Sequence, residues 1–181
     1  GSHVYNRALV ASVIAEYGLE KAEKWATGLV SNLARRPQGN DRAQVKGIYE
    51  GLCDIAIINN YYFGKLKYSE DPVQREWAKS MRLTFPNQGE GDRGAHINIS
   101  GGGVAKHSKN KESAIKLLEF LSNSKSQKMY SEINFEYPVN VKVEPSEELV
   151  SWGNFREDKI SIEKIAQLSI DAQKIIDRVG W

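Results

Sequence analysis

The run Asp54-Ile55-Ala56-Ile57-Ile58-Asn59-Asn60-Tyr61-Tyr62-Phe63-Gly64 constrains the fold more than any other stretch of the chain. Its first half predicts a strand. Ile55, Ile57 and Ile58 are β-branched, and a continuous apolar stretch of this length suits a strand covered on both faces, as in a parallel sheet. The second half cannot continue it, because amides and phenols begin where burial should end. Neighbouring residues point to opposite faces of a strand and about 100° apart on a helix, so Tyr61 and Tyr62 are expected to reach one target only from irregular backbone. The turn beyond a strand's carboxyl end supplies such backbone, and open α/β sheets bind ligands there.

The rest of the chain alternates helices with short strands, the order of an α/β fold with a covered β-sheet flanked by helices. Leu9, Val10, Val13 and Ile14 mark one helical face, closed at Tyr17-Gly18. Ala22, Trp25, Ala26, Leu29, Val30 and Leu33 give a second, strongly amphipathic helix. Asn40 or Asp41 can cap a third that runs to about Glu50, where Gly51 ends it. A short helix is expected through Lys65, and Asp71-Pro72 starts another with proline at its first position. Residues 81–85 read as a strand, Gly89, Gly91 and Gly94 as a loop, and His96-Ile97-Asn98-Ile99-Ser100 as an alternating segment before three glycines. Asn110 is expected to cap a helix burying Ala114, Leu117, Leu118 and Leu121, with another helix over 127–133. Val139, Val141 and Val143 suggest an edge strand inside a loop, and Ile162 through Val179 a terminal helix ending at Gly180.

Composition excludes more than it selects. The 181 residues carry 25 Lys plus Arg against 23 Asp plus Glu, a net charge of +2 that steers no partner strongly. No basic run interleaved with aromatics points to nucleic acid, and no apolar run approaches the ~20 residues of a membrane span. Gly1-Ser2-His3 looks like the scar of a cleaved expression tag, with no secretory leader recognisable behind it. The single cysteine, Cys53, reads as a small core residue and rules out an internal disulfide.

Several segments together resemble a known family. Pro37-Gln38-Gly39-Asn40-Asp41, the Asn59-Asn60-Tyr61-Tyr62 turn, Phe85-Pro86-Asn87-Gln88, the run from His96 to Val104, Glu119-Phe120-Leu121, Glu136-Tyr137-Pro138-Val139 and Gly180-Trp181 are similar to the periplasmic ferric-iron-binding, substrate-binding proteins of bacterial ABC importers, in the family's own order. The resemblance begins at Tyr5 and covers the C-terminal portion of such a protein. It implies a periplasmic-binding-protein-like lobe over residues 4–94 after the tag remnant 1–3, a crossover and partial first-lobe segment over 95–137, and a loop and C-terminal helix over 138–181. The upstream segment that builds most of the first lobe is expected to be absent, leaving an incomplete lobe and favouring a homodimer or swapped dimer.

The chemistry implied by the resemblance is ferric-iron capture. In family members the adjacent tyrosines supply two metal ligands, a role carried here onto Tyr61 and Tyr62. Ferric iron is a hard cation that prefers anionic oxygen, and a bound cation lowers the pKa of a phenol by favouring its anion. The family adds a further tyrosine, and in some members a histidine, carboxylate, anion or water, from upstream segments. Asn59 and Asn40, with Gln38 and Asp41, match turns that in some relatives hold an anion or water beside the iron; the plainer reading makes Asn40 a helix cap and lets Asn59 end a strand. The implied partners are Fe(III) and a membrane permease, and the implied place is the periplasm.

Other readings stay open on the sequence. A Tyr-Tyr-Phe cluster behind a buried strand is in most proteins packing with hydrogen-bonded hydroxyls. The same residues could form a binding lobe for a small anion, held by Gln38, Asn40, Asn59 and backbone amides without metal. An enzyme would need Cys53 or His96 as its reactive group, and no nucleophile, base and orienting residue can be assembled around either. His96 and His107 are spaced unlike zinc ligands. Gly101-Gly102-Gly103 lacks the Gly-Lys-Ser/Thr ending of a phosphate loop; the resemblance implies a hinge over 94–104 instead, which the backbone freedom of glycine suits.

Overall fold

Ten α-helices and one π-helical turn organise the described residues, 3–181, of the computed structural model. The tag reading of Gly1 and Ser2 lies outside them. In chain order the elements are α1 (Val4–Tyr17), α2 (Leu19–Ser31), α3 (Asp41–Tyr49), α4 (Tyr61–Lys67), α5 (Pro72–Lys79), α6 (Lys111–Ser122), α7 (Ser124–Met129), the π turn (Tyr130–Asn134), α8 (Glu147–Ser151), α9 (Ile162–Gln167) and α10 (Ser169–Val179). They divide between two compact units. One contains Gly1–Gly39, Phe85–Asn98 and Phe155–Trp181; the other contains Asn40–Thr84 and Ile99–Asn154. Residues 99–137 group with the tyrosine turn in the second of these.

The first unit is a helix cluster packed on alanine. Val10, Ala11, Val13 and Ile14 of α1 bury against Ala22 and Ala26 of α2 and Ala172, Ile175 and Ile176 of α10. Four-residue spacing puts Ala22 with Ala26, and Ala172 with Ile176, on one helical face each, and the small side chains let backbones approach. Each fully buried Val or Ile contributes about 1.5–3 kcal/mol relative to exposure. Beside this core, Ser12 accepts from Arg93 Nη1 at 3.0 Å. Arg93 and His96 both face one carboxylate oxygen of Asp158, at 3.6 and 3.4 Å, with all three side chains at most 7% exposed. The backbone here is tied by one parallel bridge: Ala95 N–H donates to Arg156 O and Asp158 N–H to Ala95 O, each at 2.8 Å. Gly94 makes that approach possible, since its φ is 94° and a Cβ would lie 2.5 Å from Glu157 O.

In the second unit Val45 of α3, Leu66 of α4 and Ala78 of α5 form the buried centre, joined by Ile58, Phe63, Trp77 and Met81. Aromatic rings extend it: Phe135 stacks on Tyr68 at 5.5 Å, and Trp152 meets Phe63 edge-on at 5.9 Å. The Phe135 ring lies against Gly64, where a Cβ would sit 2.3 Å from it, so α4 can pack there only without a side chain. Tyr137 belongs to the same cluster. Burial pushes its hydroxyl up to about 12, and it donates to Leu149 O.

Helices matched expectation better than strands did. Gly18 (φ 81°) separates α1 from α2, Asn40 Oδ1 accepts from Ala43 N–H at the start of α3, and Asp71 caps α5 ahead of Pro72. The covered sheet, by contrast, is not formed among the described residues, where the Ala95–Glu157 bridge is the sole β pairing. Ile55 is 83% exposed, Ile57 48% and Val141 96%; of the isoleucines in the run, Ile58 alone packs on the core. The segments expected as strands at 54–58, 81–85, 96–100 and 139–143 have no strand alongside, and a ladder cannot form without one.

Smaller corrections share that local cause. In α6, Leu117 is exposed and no residue is fully buried, so its apolar stripe lacks a covering surface; Asn110 stands at its start without a side-chain cap. The terminal helix is broken at Leu168 into α9 and α10, and Ser146 caps a helix, α8, inside the supposed loop. Cys53 is half-buried, not a core residue.

The buried Arg93–His96–Asp158 group makes stability depend on pH. Burial holds the His96 imidazole below its ordinary value of 6.5, and the adjacent Asp158 carboxylate, which pulls the other way, does not reverse this. As pH falls the unfolded chain takes up the proton first, so stability is complete above about 6.5 and declines as pH drops from there towards the lowered value. Urea unfolding at about pH 7.5 and about pH 5.5 should give a lower midpoint in acid, and His96→Gln should shrink that difference.

Candidate metal-binding site

Tyr61 and Tyr62 are the first two residues of α4, and their backbone N–H groups lie at the end of the apolar run. Asn59 O accepts from Tyr62 N–H at 3.1 Å and Asn60 O from Phe63 N–H at 2.9 Å, so the turn closes directly into helix. The two rings lie side by side with centroids 4.4 Å apart and planes inclined at 30°. Irregular backbone was expected to be necessary for this convergence. A helix start achieves it instead, because two rings on long side chains bridge the ~100° between adjacent helical positions. Both tyrosines are half-buried, and neither is locked inside the core.

Each ring carries a cation. Lys65, one turn along α4, places Nζ 4.9 Å from the Tyr61 centroid, and the Arg42 guanidinium lies 5.8 Å from that of Tyr62. Such contacts contribute ~0.5–1 kcal/mol at exposed sites. Neither residue was singled out from the sequence. The Tyr61–Lys65 spacing of four on a helix was a legible signal; Arg42 had none, being 20 positions from Tyr62.

Asp41 and Asn59, expected beside an anion or water or else as helix cap and strand end, are hydrogen-bonded to each other. Asp41 Oδ1 accepts from Asn59 backbone N–H at 2.8 Å and from its side-chain Nδ2 at 3.2 Å. The first residue of α3 is thereby tied to the residue two before the tyrosine pair. Asn40 is exposed and serves as the α3 cap. Gln38 belongs to the other unit. His107 is exposed, and His96 is buried beside Asp158 in the other unit. Among the described residues no group of three or more His, Cys, Asp or Glu side chains could hold a metal.

The far end of α4 is braced by one carboxylate. Glu148 of α8 takes Lys67 Nζ at 2.7 and 2.8 Å, Tyr68 hydroxyl at 2.6 Å and Trp152 Nε1 at 2.9 Å. Burial alone would raise the Glu148 carboxyl, but the bonds from Lys67, Tyr68 and Trp152 hold it below its ordinary value; the same bonds to Glu148 raise Lys67 and Tyr68.

No family model matches the chain. It is 43% identical over 180 residues to iron uptake protein A1 of Synechocystis sp., a match that covers 99% of this chain and 49% of that protein. Among solved structures, ferric iron-binding protein A of Mannheimia haemolytica in an open conformation superposes with a TM-score of 0.90 at 47% identity, over 97% of this chain and 54% of the other. A Trichodesmium protein in complex with iron and citrate ligands gives 0.93 at 45% identity, over 100% of this chain and 57% of the other. The chain is homologous to bacterial ferric iron-binding proteins. It spans about half the length of the curated relatives it matches, and its backbone has the fold of about half of a ferric iron-binding protein. These homologues are named for binding and uptake, not for catalysis.

Glu148 anchors the far end of the helix that begins with the two tyrosines. Glu148→Ala leaves Lys67, Tyr68 and Trp152 without their shared acceptor. Because Lys67 is partly solvated, a loss of about 1–2 kcal/mol is expected. Urea midpoints of the two proteins check it, with Trp152 fluorescence as a reporter at the site of the change.

Proposed function

We propose that this chain is the iron(III)-binding part of an ABC-importer substrate-binding protein, capturing ferric iron through the Tyr61 and Tyr62 phenolates for delivery to a membrane permease. The observation that carries this reading is the pair of rings 4.4 Å apart at the start of α4, in a chain 40–47% identical to ferric-binding relatives. Two phenolates bring two negative charges and hard oxygen donors to a small trivalent ion. The cation itself drives their deprotonation. The protein acts as a carrier in the periplasm and not as an enzyme. Iron is its cargo, and the remaining oxygens come from solvent, an anion or further protein.

The segments without a strand partner belong to the same proposal. In the longer protein, residues 54–58 and 96–100 find the strand neighbours they lack here and add to a covered sheet. As it stands, Ile55, Ile57, Ile99, Val139 and Val141 are exposed. Such surface favours self-association of the 181-residue chain into a homodimer or swapped dimer. Light scattering over a concentration series should show mass rising above that of a monomer.

Binding of a small anion without metal is the second reading, and the donors it needs weigh against it: Asn59 directs its backbone and side-chain N–H groups at Asp41. Colour separates the two, because phenolate-to-iron charge transfer absorbs visible light and anion binding does not. Adding ferric iron to the full-length protein should produce a visible band, and Tyr61→Phe and Tyr62→Phe should each weaken or abolish it while far-ultraviolet circular dichroism stays unchanged. An undiminished band in both variants would remove the assignment.

A further inference from the structure

We infer that one face of α2 is a docking groove for an acidic amphipathic helix of a partner protein, which seats an apolar side chain in the notch at Gly28 and its carboxylates on Lys21 and Lys24. The groove shares no residue with the tyrosine turn, so it stands or falls apart from the iron reading.

Lys21, Trp25, Gly28 and Asn32 follow one another along α2 at spacings of four, three and four, and so share a face. With Lys24 and Leu29 they line an open groove of about 580 Å³. Another side of the helix is spent on the core, through Ala22 and Ala26. The groove is fixed from within the chain. The Trp25 ring, 36% exposed, is backed edge-on by Trp181 at 6.1 Å, and Asn32 closes the far end by donating from Nδ2 to Gly28 O at 2.8 Å.

Gly28 asks for an occupant. Glycine inside a helix is less stable than alanine, so its presence needs a reason. Two other glycines lie inside helices among the described residues, and both have a neighbour: Gly64 admits the Phe135 ring, and Gly47 has Cys53 Sγ 3.5 Å from where a Cβ would stand. A Cβ on Gly28 would meet nothing within 4 Å. The notch beside Trp25 therefore serves no contact among the described residues. It lets a facing helix approach closely and set a side chain into the gap. A membrane surface would gain more from an apolar residue here than from a notch, so the shape favours a protein.

Charge gives the chemistry of that protein. The one ion pair of α2 among the described residues runs from Glu23 to Arg178 Nη1 at 2.7 Å, and neither Glu23 nor Glu20 lines the groove. Lys21 and Lys24 are exposed at its rim and have no carboxylate partner among the described residues. Lysines on other helices pair within a turn, Lys46 with Glu50, Lys79 with Glu76 and Lys174 with Asp171. A partner that lays carboxylates over Lys21 and Lys24 supplies the missing charges, and such complementarity speeds encounter and fixes register.

The test uses the full-length protein and a short fluorescent helical peptide carrying one leucine, with glutamates one and two turns from it, made in both sequence directions. Wild type is expected to bind at least one of the two at low salt and to release it as salt rises. The same peptide with glutamines for glutamates should bind about tenfold or more weakly, as should the original peptide to Gly28→Leu or to the double variant Lys21→Glu, Lys24→Glu. Gly28→Ala should raise the urea midpoint while weakening the peptide, and Gly28→Leu should leave the midpoint no lower than wild type. Absence of binding, equal binding of the glutamine peptide, or binding indifferent to Gly28→Leu overturns the inference. A full-length protein destabilised by Gly28→Leu overturns it as well, because the rest of the chain then fills the notch. Retention on phosphatidylglycerol vesicles that survives Gly28→Leu but not the lysine substitutions would assign the face to a membrane and overturn it too.

Discussion

An α-helix satisfies its backbone N–H and C=O groups within one segment, whereas a strand depends on a neighbour to do so. The described residues follow that division throughout. The stretches with a helical apolar period made their own hydrogen bonds, and most then found a surface to cover: α1, α2 and α10 around Val10, Ile14 and Ile176, and α3, α4 and α5 around Val45 and Leu66. The β-branched segments had no such independence. Ile55 and Ile57 lie in solvent although their side chains suit a strand well, because side-chain preference cannot substitute for a missing ladder.

The helical half of the fold was legible for the same reason. Caps at Asn40 and Asp71, the glycine at 18 and the proline at 72 are local signals, and local signals suffice for local structure. What escaped them was long-range. The apolar stripe of α6 is present in the sequence, but nothing there says that Leu117 goes uncovered. The break at Leu168 and the helix at 147–151 turn on a single residue or a five-residue segment, too short for a period to show. Gly64 had no sequence signal at all, since its necessity lies in the ring of Phe135, 71 positions later.

At the candidate site the tyrosine pair was legible and its surroundings were not. Adjacent phenols after an apolar run mark a place where chemistry could occur. Which groups face them depends on how α3 packs beside the turn. Packing brings Arg42 over Tyr62 and turns Asp41 to Asn59. The amides that looked available for an anion are thus engaged inside the protein. A motif supplies the types of groups present, and tertiary hydrogen bonds decide which of them remain open to a ligand.

Tyr137 shows how far environment separates chemically identical side chains. It is half-buried beside Trp152, its hydroxyl is pushed up to about 12 by desolvation, and it donates a hydrogen bond to a backbone carbonyl. Ionising it would place an anion in a half-buried aromatic cluster, which burial penalises. Tyr61 and Tyr62 sit instead at the edge of the core, each with a positive side chain over its ring. A phenol can serve as a ligand only where its charged form is tolerated and its oxygen is reachable. Within this unit the aromatic cluster behind Gly64 holds α4 in position.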